Sequence, residues 1–451
     1  MSELLELAHL IVGRASGDEH IEAYVTRGTE TDVQSYQCAI EKLSTASSAG
    51  LSVRILVDTA AGARVGSAWA GALDDESIAH VLNEARDNLR FASEDEFVAF
   101  ARPDGVAPTP LTLLDPNFHD TTIDEKIAMA IELERIVRGS DQRIRQVDAA
   151  NYSDYIASAA IVSTLGISAT YDRSGAHLSV EAIATDGDSD QTGWGLSVGR
   201  SARDLDIAKA AQDAVMRATR MLGAVKPPSA KTVAVFDPRT TSALLSIIGS
   251  ALSGEAVVRG RSFFADRVGE KVAASSVTII DDPTEPRHFA ASTYDGEGLA
   301  CRRNQLITHG SLTGFVFDTT SARRAGTTST GNATRGGISG AVSAGCRALQ
   351  LEAGQLSQPE ILSAVGDGIF VEALQGVHSG VNPISGDFSV GITGLMIRNG
   401  QLAEPIREAT VASTLQRMLL DVTHVGSDVE WLPGVAAGQT VAIDGISLSG
   451  S

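Results

Sequence analysis

One stretch of this sequence concentrates side chains that can do chemistry. Residues 376–389 read G-V-H-S-G-V-N-P-I-S-G-D-F-S. His378, Ser379, Asn382, Ser385 and Asp387 bring imidazole, hydroxyl, amide and carboxylate groups together, spaced by glycines that let another backbone come close. Two readings stay open: these five residues bind an extended peptide substrate, or they close an internal turn by hydrogen bonds among themselves.

Other matches to reactive motifs lose support in context. Residues 186–190, D-G-D-S-D, imitate the first half of a calcium loop, but Gln191 and Ser197 stand where glycine and a bidentate glutamate are needed. A solvated turn fits better. Gly195, Ser197 and Gly199 match G-x-S-x-G, yet a nucleophile elbow needs an apolar strand before the serine and a helix straight after it. Here a polar run, 186–192, precedes, and the next helical pattern starts near Asp206. No phosphate-cradling G-x-x-x-x-G-K-[ST] occurs. Nor is there an H-E-x-x-H, and no two of the nine histidines lie within five residues of each other, so local spacing builds no zinc site. A Ser/His/Asp group assembled from distant residues is compatible with any spacing.

The elements that must position these groups follow from composition and pattern. A chain of 451 residues is past the size at which one hydrophobic core stops growing, so two or three domains are expected. With 36 Lys and Arg against 56 Asp and Glu, the formal charge of -20 opposes binding to a phosphate backbone, and no nucleic-acid partner is expected. Cys38, Cys301 and Cys346 are odd in number and far apart, which suits a reducing, cytoplasmic compartment. Glu3 and Glu6 precede any basic residue and no run of 18 apolar residues occurs, so neither export nor a membrane span is expected.

Residues 1–100 read as an α/β N-terminal domain, with a β-rich run at 53–57 and a helix on which Ile78, Val81, Leu82, Ala85 and Leu89 recur at helical spacing. His80 falls on its polar face. Four prolines between 103 and 116 mark a boundary. Residues 115–225 read as a middle domain of antiparallel sheet and helix, opened by a Thr122/Glu125 capping box and closed by a helix from Asp206 to Leu222 that Gly223 and the prolines at 227 and 228 terminate. Residues 230–451 read as a β-rich C-terminal domain, with a strand at 233–236, a helical stretch at 240–256, and a type I′ hairpin at Asn399-Gly400. The fold class is α+β. The sequence contains no internal repeat.

Followed by Gly394, Asn399-Gly400 and Glu404-Pro405, residues 376–389 resemble the C-terminal signature of the TldD/TldE (PmbA) family, once called modulators of DNA gyrase. The resemblance continues through residues 425–428 (V-G-S-D), 329–333 (S-T-G-N-A), 261–263 (R-S-F), Gly269-Glu270 and 281–283 (D-D-P), and residues 21–90 resemble the family's N-terminal domain. It therefore covers nearly the whole chain. It implies a heterodimer in which a TldD-like subunit holds zinc through H-E-x-x-x-H and a distant cysteine, the glutamate activating the metal-bound water. Aligned here, Leu245 replaces the first histidine, Ser246 the glutamate, Ser250 the second histidine, and Ala436 the cysteine. The TldE branch has this pattern. The resemblance thus implies a chain with no metal and no catalytic residue of its own, zinc residing in the partner, and an unfolded or modified peptide as the shared substrate. The alternatives are a chaperone-like peptide-binding protein and an independent hydrolase using a Ser/His/Asp group that includes His378.

Overall fold

A computed structural model describes residues 3–187 and 189–450. Helix α1 (Glu3–Val12) leads into strands β1 (His20–Tyr36), β2 (Ala39–Thr59) and β3 (Gly62–Ala70), and helix α2 (Asp75–Phe91) follows. The same order then recurs: helix α3 (Ile123–Ser140), strands β4 (Ile144–Ser163), β5 (Ser168–Asp186) and β6 (Ser189–Gly199), and helix α4 (Ile207–Arg220). The six strands form one antiparallel sheet in the order β3-β2-β1-β4-β5-β6, whose halves meet along β1–β4 from Glu22↔Ser163 to Ser35↔Ala150. Residues of the expected units 1–100 and 115–225 thus lie side by side in a single sheet, as a structural duplication that no repeat of residues reveals. Strand pairing and helix cover need only alternation and small contacts, so the backbone arrangement recurs on different side chains.

Each half has its own core. In the first, Ile78, Val81, Leu82 and Ala85 of α2 are buried against Val25, Val53 and Ile55, while His80 stays exposed beside Glu84. In the second, Ala130, Leu133 and Val137 of α3 and Ala210, Ala214 and Ala218 of α4 cover Val147, Leu178 and Val180. The Thr122/Glu125 capping box forms as expected. Glycines let the covering helices approach: a Cβ on Gly66 would lie 2.1 Å from the Ala85 carbonyl, and one on Gly195 would lie 1.8 Å from that of Ala210. This explains the G-x-S-x-G match. Gly195 admits α4, and buried Ser197 accepts a hydrogen bond from the Asp206 backbone N–H at 2.8 Å, so its hydroxyl serves the helix start. Asp188 of the D-G-D-S-D turn lies outside the described residues; Gly187 beside it has φ 63° between β5 and β6.

The remainder is built on β7 (Ala230–Phe236) and helix α5 (Pro238–Ala251). Strand β7 runs parallel to Gly368–Gln375 and antiparallel to Val441–Ser449. Onward pairing through Asp387–Arg398 and Gln401–Thr414 returns to Val441–Ser449, so five strands close into a barrel-like ring. Asn399 and Gly400 have φ 49° and 76°, the two positive values that the type I′ turn requires. The expected helical stretch at 240–256 divides, because Ser253 bridges to Val316 before a short helix Gly254–Val258 begins. Leu244, Leu245 and Ile248 of α5 join Phe236, Ile369, Val390 and Val441 in the largest core. The chain is an α+β protein. No helix among the described residues is long and apolar enough to cross a membrane.

Candidate functional site

Asp237 starts α5 by accepting the Arg239 N–H at 2.8 Å, Pro238 sits in the first turn, and the apolar spacing fixes which face turns inward. On that helix Leu245 is buried in the core. Ser246 donates to the Ser242 carbonyl at 2.9 Å and exposed Ser250 to the Ile247 carbonyl at 2.6 Å. Ala436 is fully buried, and Ser242 donates to its carbonyl at 2.7 Å. Loop residues Val435 and Ala437 are tied to Leu349 by backbone hydrogen bonds of 2.7 and 2.9 Å. Helix and loop are therefore packed together, but the side chains they bring there are aliphatic or hydroxyl groups already bonded to carbonyls. Zinc takes imidazole, thiolate or carboxylate ligands, so these residues do not fit it. Among the described residues no group of three His, Cys, Asp or Glu is placed to hold a metal ion.

A groove of about 570 Å³ opens beside the first turns of α5, between β6 and α4 on one side and the barrel strand Gly368–Gln375 on the other. Trp194 forms part of one wall and is 49% exposed. Charged groups on its floor are spent on one another. Arg217 reaches Glu372 at 3.0 Å and Asp237 at 2.8 Å, Arg220 reaches Glu372 at 2.8 Å, and Arg239 binds Asp213 at 2.9 Å and the Trp194 carbonyl at 2.7 Å. Burial alone would depress the Arg217 guanidinium, but Asp237 and Glu372 more than offset it and its affinity for a proton rises. For Arg239, burial and the neighbouring Arg217 win and the shift is downward. This network ties the six-stranded sheet to the barrel and matches the three guanidinium groups of Arg217, Arg220 and Arg239 with the three carboxylates of Asp213, Asp237 and Glu372. Sequence reasoning missed it, because Asp213 and Arg217 on α4, Asp237 and Arg239 at the start of α5, and Glu372 on the barrel strand come from three separate elements that meet only in three dimensions.

None of the five peptide-binding candidates lines that groove, although Val377, next to His378, does. All five are exposed. Asn382 accepts from the N–H groups of Ile384 and Ser385 at 2.9 and 3.2 Å, Ser385 donates to Asp387 at 2.6 Å, and Ser379 donates to the Gly376 carbonyl at 3.1 Å. Backbone bonds from Asn382 to Asp387 and from Gly386 to Asn382 close the turn. Four of the five side chains are thus engaged locally. His378 makes no hydrogen bond to a serine or carboxylate among the described residues.

A six-stranded sheet of two matching halves beside a barrel gives the fold, and comparison with known proteins gives the class, that of the metallopeptidase-related proteins. The PmbA/TldA metallopeptidase C-terminal domain profile matches residues 229–450 and the central domain profile residues 116–222. The chain belongs to the PmbA/TldD family. It is 27% identical over 450 residues to metalloprotease PmbA of Escherichia coli O157:H7, covering 98% of this chain and 93% of that protein. A crystal structure from Bacteroides thetaiotaomicron, described as a candidate modulator of DNA gyrase, superposes with a TM-score of 0.87 at 26% identity over 100% of both chains. TldE from Thermococcus kodakarensis shares the fold, with a TM-score of 0.88 at 22% identity over 99% of each chain.

Proposed function

We propose that this chain is the metal-free, non-catalytic subunit of a cytoplasmic two-subunit peptidase, completing the cleft in which a zinc-bearing TldD-like partner cuts unfolded or modified peptides. The observation that carries the reading is chemical: Leu245, Ser246, Ser250 and Ala436 stand on a packed helix and loop, and none can ligate zinc or activate water. Free cysteines, Cys38 exposed and Cys301 and Cys346 buried, suit a reducing compartment. The hydrolase alternative has little to work with, since His378 makes no hydrogen bond to a serine or carboxylate among the described residues.

Elemental analysis of the dialysed single chain should find far less than one zinc per chain, and peptide cleavage should appear only on mixing with a zinc-bearing subunit of the family. One tightly held zinc per chain, or chelator-insensitive cleavage by the chain alone, overturns the reading.

The segment 376–389 is tested separately in the reconstituted complex. If it touches substrate, His378→Ala should lower kcat/KM roughly tenfold or more with zinc content, melting temperature and assembly unchanged. Asn382→Ala and Asp387→Ala should also lower the melting temperature, because both side chains close the turn. Unchanged cleavage in all three variants, or losses that only track assembly, removes the segment from the cleft.

A further inference from the structure

A second cavity, of about 400 Å³, lies far along the chain from these residues, where the irregular linker after α2 meets the short helix Thr319–Arg324 and the S-T-G-N-A segment. Its chemistry is the opposite of the chain's. In a protein of formal charge -20, it is lined by three arginines, Arg102, Arg302 and Arg323, and one acidic residue, Asp104. Arg302 spends its charge on Asp104 at 2.6 Å. Arg323 donates only to the Glu96 backbone carbonyl at 3.1 Å, and Arg102 has neither a hydrogen bond nor an ion pair among the described residues. Two positive charges are therefore left without a counter-charge at the cavity.

The surroundings are shaped for an acceptor-rich ligand. Hydroxyl groups of Thr327 and Thr328 line the same space and make no intramolecular hydrogen bond among the described residues, while Ser329 at the edge is held by the Phe317 carbonyl. The buried Nε of Arg302 has no acceptor among the described residues. Gly331 explains why that side chain can lie there: its φ is 72°, and a Cβ would press within 3.0 Å of the Arg302 Nε and 2.5 Å of the Ala300 carbonyl. Planar guanidinium forks pair with carboxylate or phosphate through two parallel bonds, and the volume falls in the range of small-molecule sites.

We propose that this cavity is an anion site for a small molecule bearing a phosphate or carboxylate group, held by Arg102 and Arg323 with Arg302 as the fixed wall. Because Arg102 comes from the linker and Arg323 from the C-terminal region, an occupant clamps the two together and stabilises the folded chain.

The test is thermal unfolding of the full chain with inorganic phosphate in one arm and citrate in another, each against sodium chloride at matched ionic strength. A rise in melting temperature beyond the salt control, saturating at millimolar ligand or below, is expected in at least one arm, and the stronger arm identifies the anionic group. Arg102→Gln with Arg323→Gln should weaken the apparent affinity at least tenfold. Should the double variant unfold, Arg102→Gln alone carries the test, since that side chain makes no hydrogen bond or ion pair among the described residues. No rise beyond the salt control in either arm, or a rise that persists in the variants, overturns the site.

Discussion

A Glu297→Gln variant is expected to be more stable than the parent, by a margin that grows from about pH 5 to about pH 8. Glu297 is 1% exposed, and one oxygen accepts from Thr319, from its N–H at 3.0 Å and its hydroxyl at 2.7 Å, while the other has no partner among the described residues. Burial pushes its carboxyl up to about 8, from an ordinary 4.5, and the nearby carboxylates Asp295 and Asp318 push the same way, against Arg54 and the Thr319 bonds. Asp295, also buried, is pushed up to about 6. In that window the unfolded chain has released the Glu297 proton and the folded chain keeps it. Stability therefore falls as pH rises, by about 1.4 kcal/mol per unit for one such group, and a few kcal/mol in total. Glutamine is neutral throughout and keeps a carbonyl oxygen for Thr319, so its curve should lack that slope. Melting curves of parent and variant across pH 5 to 9 decide it: parallel curves would show that Glu297 ionises without cost.

Residues that act locally were legible in the sequence. The capping box at Thr122, the buried stripe of α2 and the Asn399-Gly400 turn depend on neighbours within a few positions, and each forms as its pattern predicts. The long pairing of β1 with β4 was not legible, because it joins residues more than a hundred positions apart. Strand β2 was hard to read for another reason, since Ala39–Thr59 is exposed through most of its first ten residues and lacks the alternation of a half-buried strand there. The same limit applies to the site. Leu245, Ser246, Ser250 and Ala436 could be compared with a known motif one by one. Arg217 and Glu372, more than 150 residues apart, give no signal until the sheet and barrel are assembled. The polar segment 376–389 was conspicuous for its composition, yet a turn that bonds to itself needs the same residue types as a binding loop.

The six-stranded sheet and the C-terminal region are also joined by residues outside the groove, and the second large effect is expected there. Glu22 of β1 is 2% exposed and pairs with two guanidinium groups: Arg54 of β2 at 3.1 Å, and Arg335, which reaches across from the hairpin Ala333–Arg335/Val342–Ala344. Arg335 also donates to the Gly296 carbonyl at 2.6 Å and lies over the Tyr24 ring, 4.9 Å from its centroid. Burial alone would raise the Glu22 carboxyl, but Arg54 and Arg335 outweigh it and hold the group below the usual range. Its contribution is complete above the unfolded carboxyl value near 4.5 and is lost as pH falls through the lower folded value. Glu22→Gln removes the one charge that two buried cations share, and should cost roughly 3 to 5 kcal/mol at neutral pH. Adding Arg335→Gln should recover part of that loss, since one uncompensated cation is then gone. The glycine-rich hairpin tip supplies a local readout: a Cβ on Gly50 would lie 2.4 Å from the Ile338 side chain, so the tip now packs on the sheet edge. Release of Arg335 should expose residues 336–340 to a nonspecific protease before global unfolding. Denaturant titration and timed proteolysis of the single and double variants measure both effects, and a cost below about 1 kcal/mol with unchanged cleavage would mean that packing, not this ion cluster, holds the two regions together.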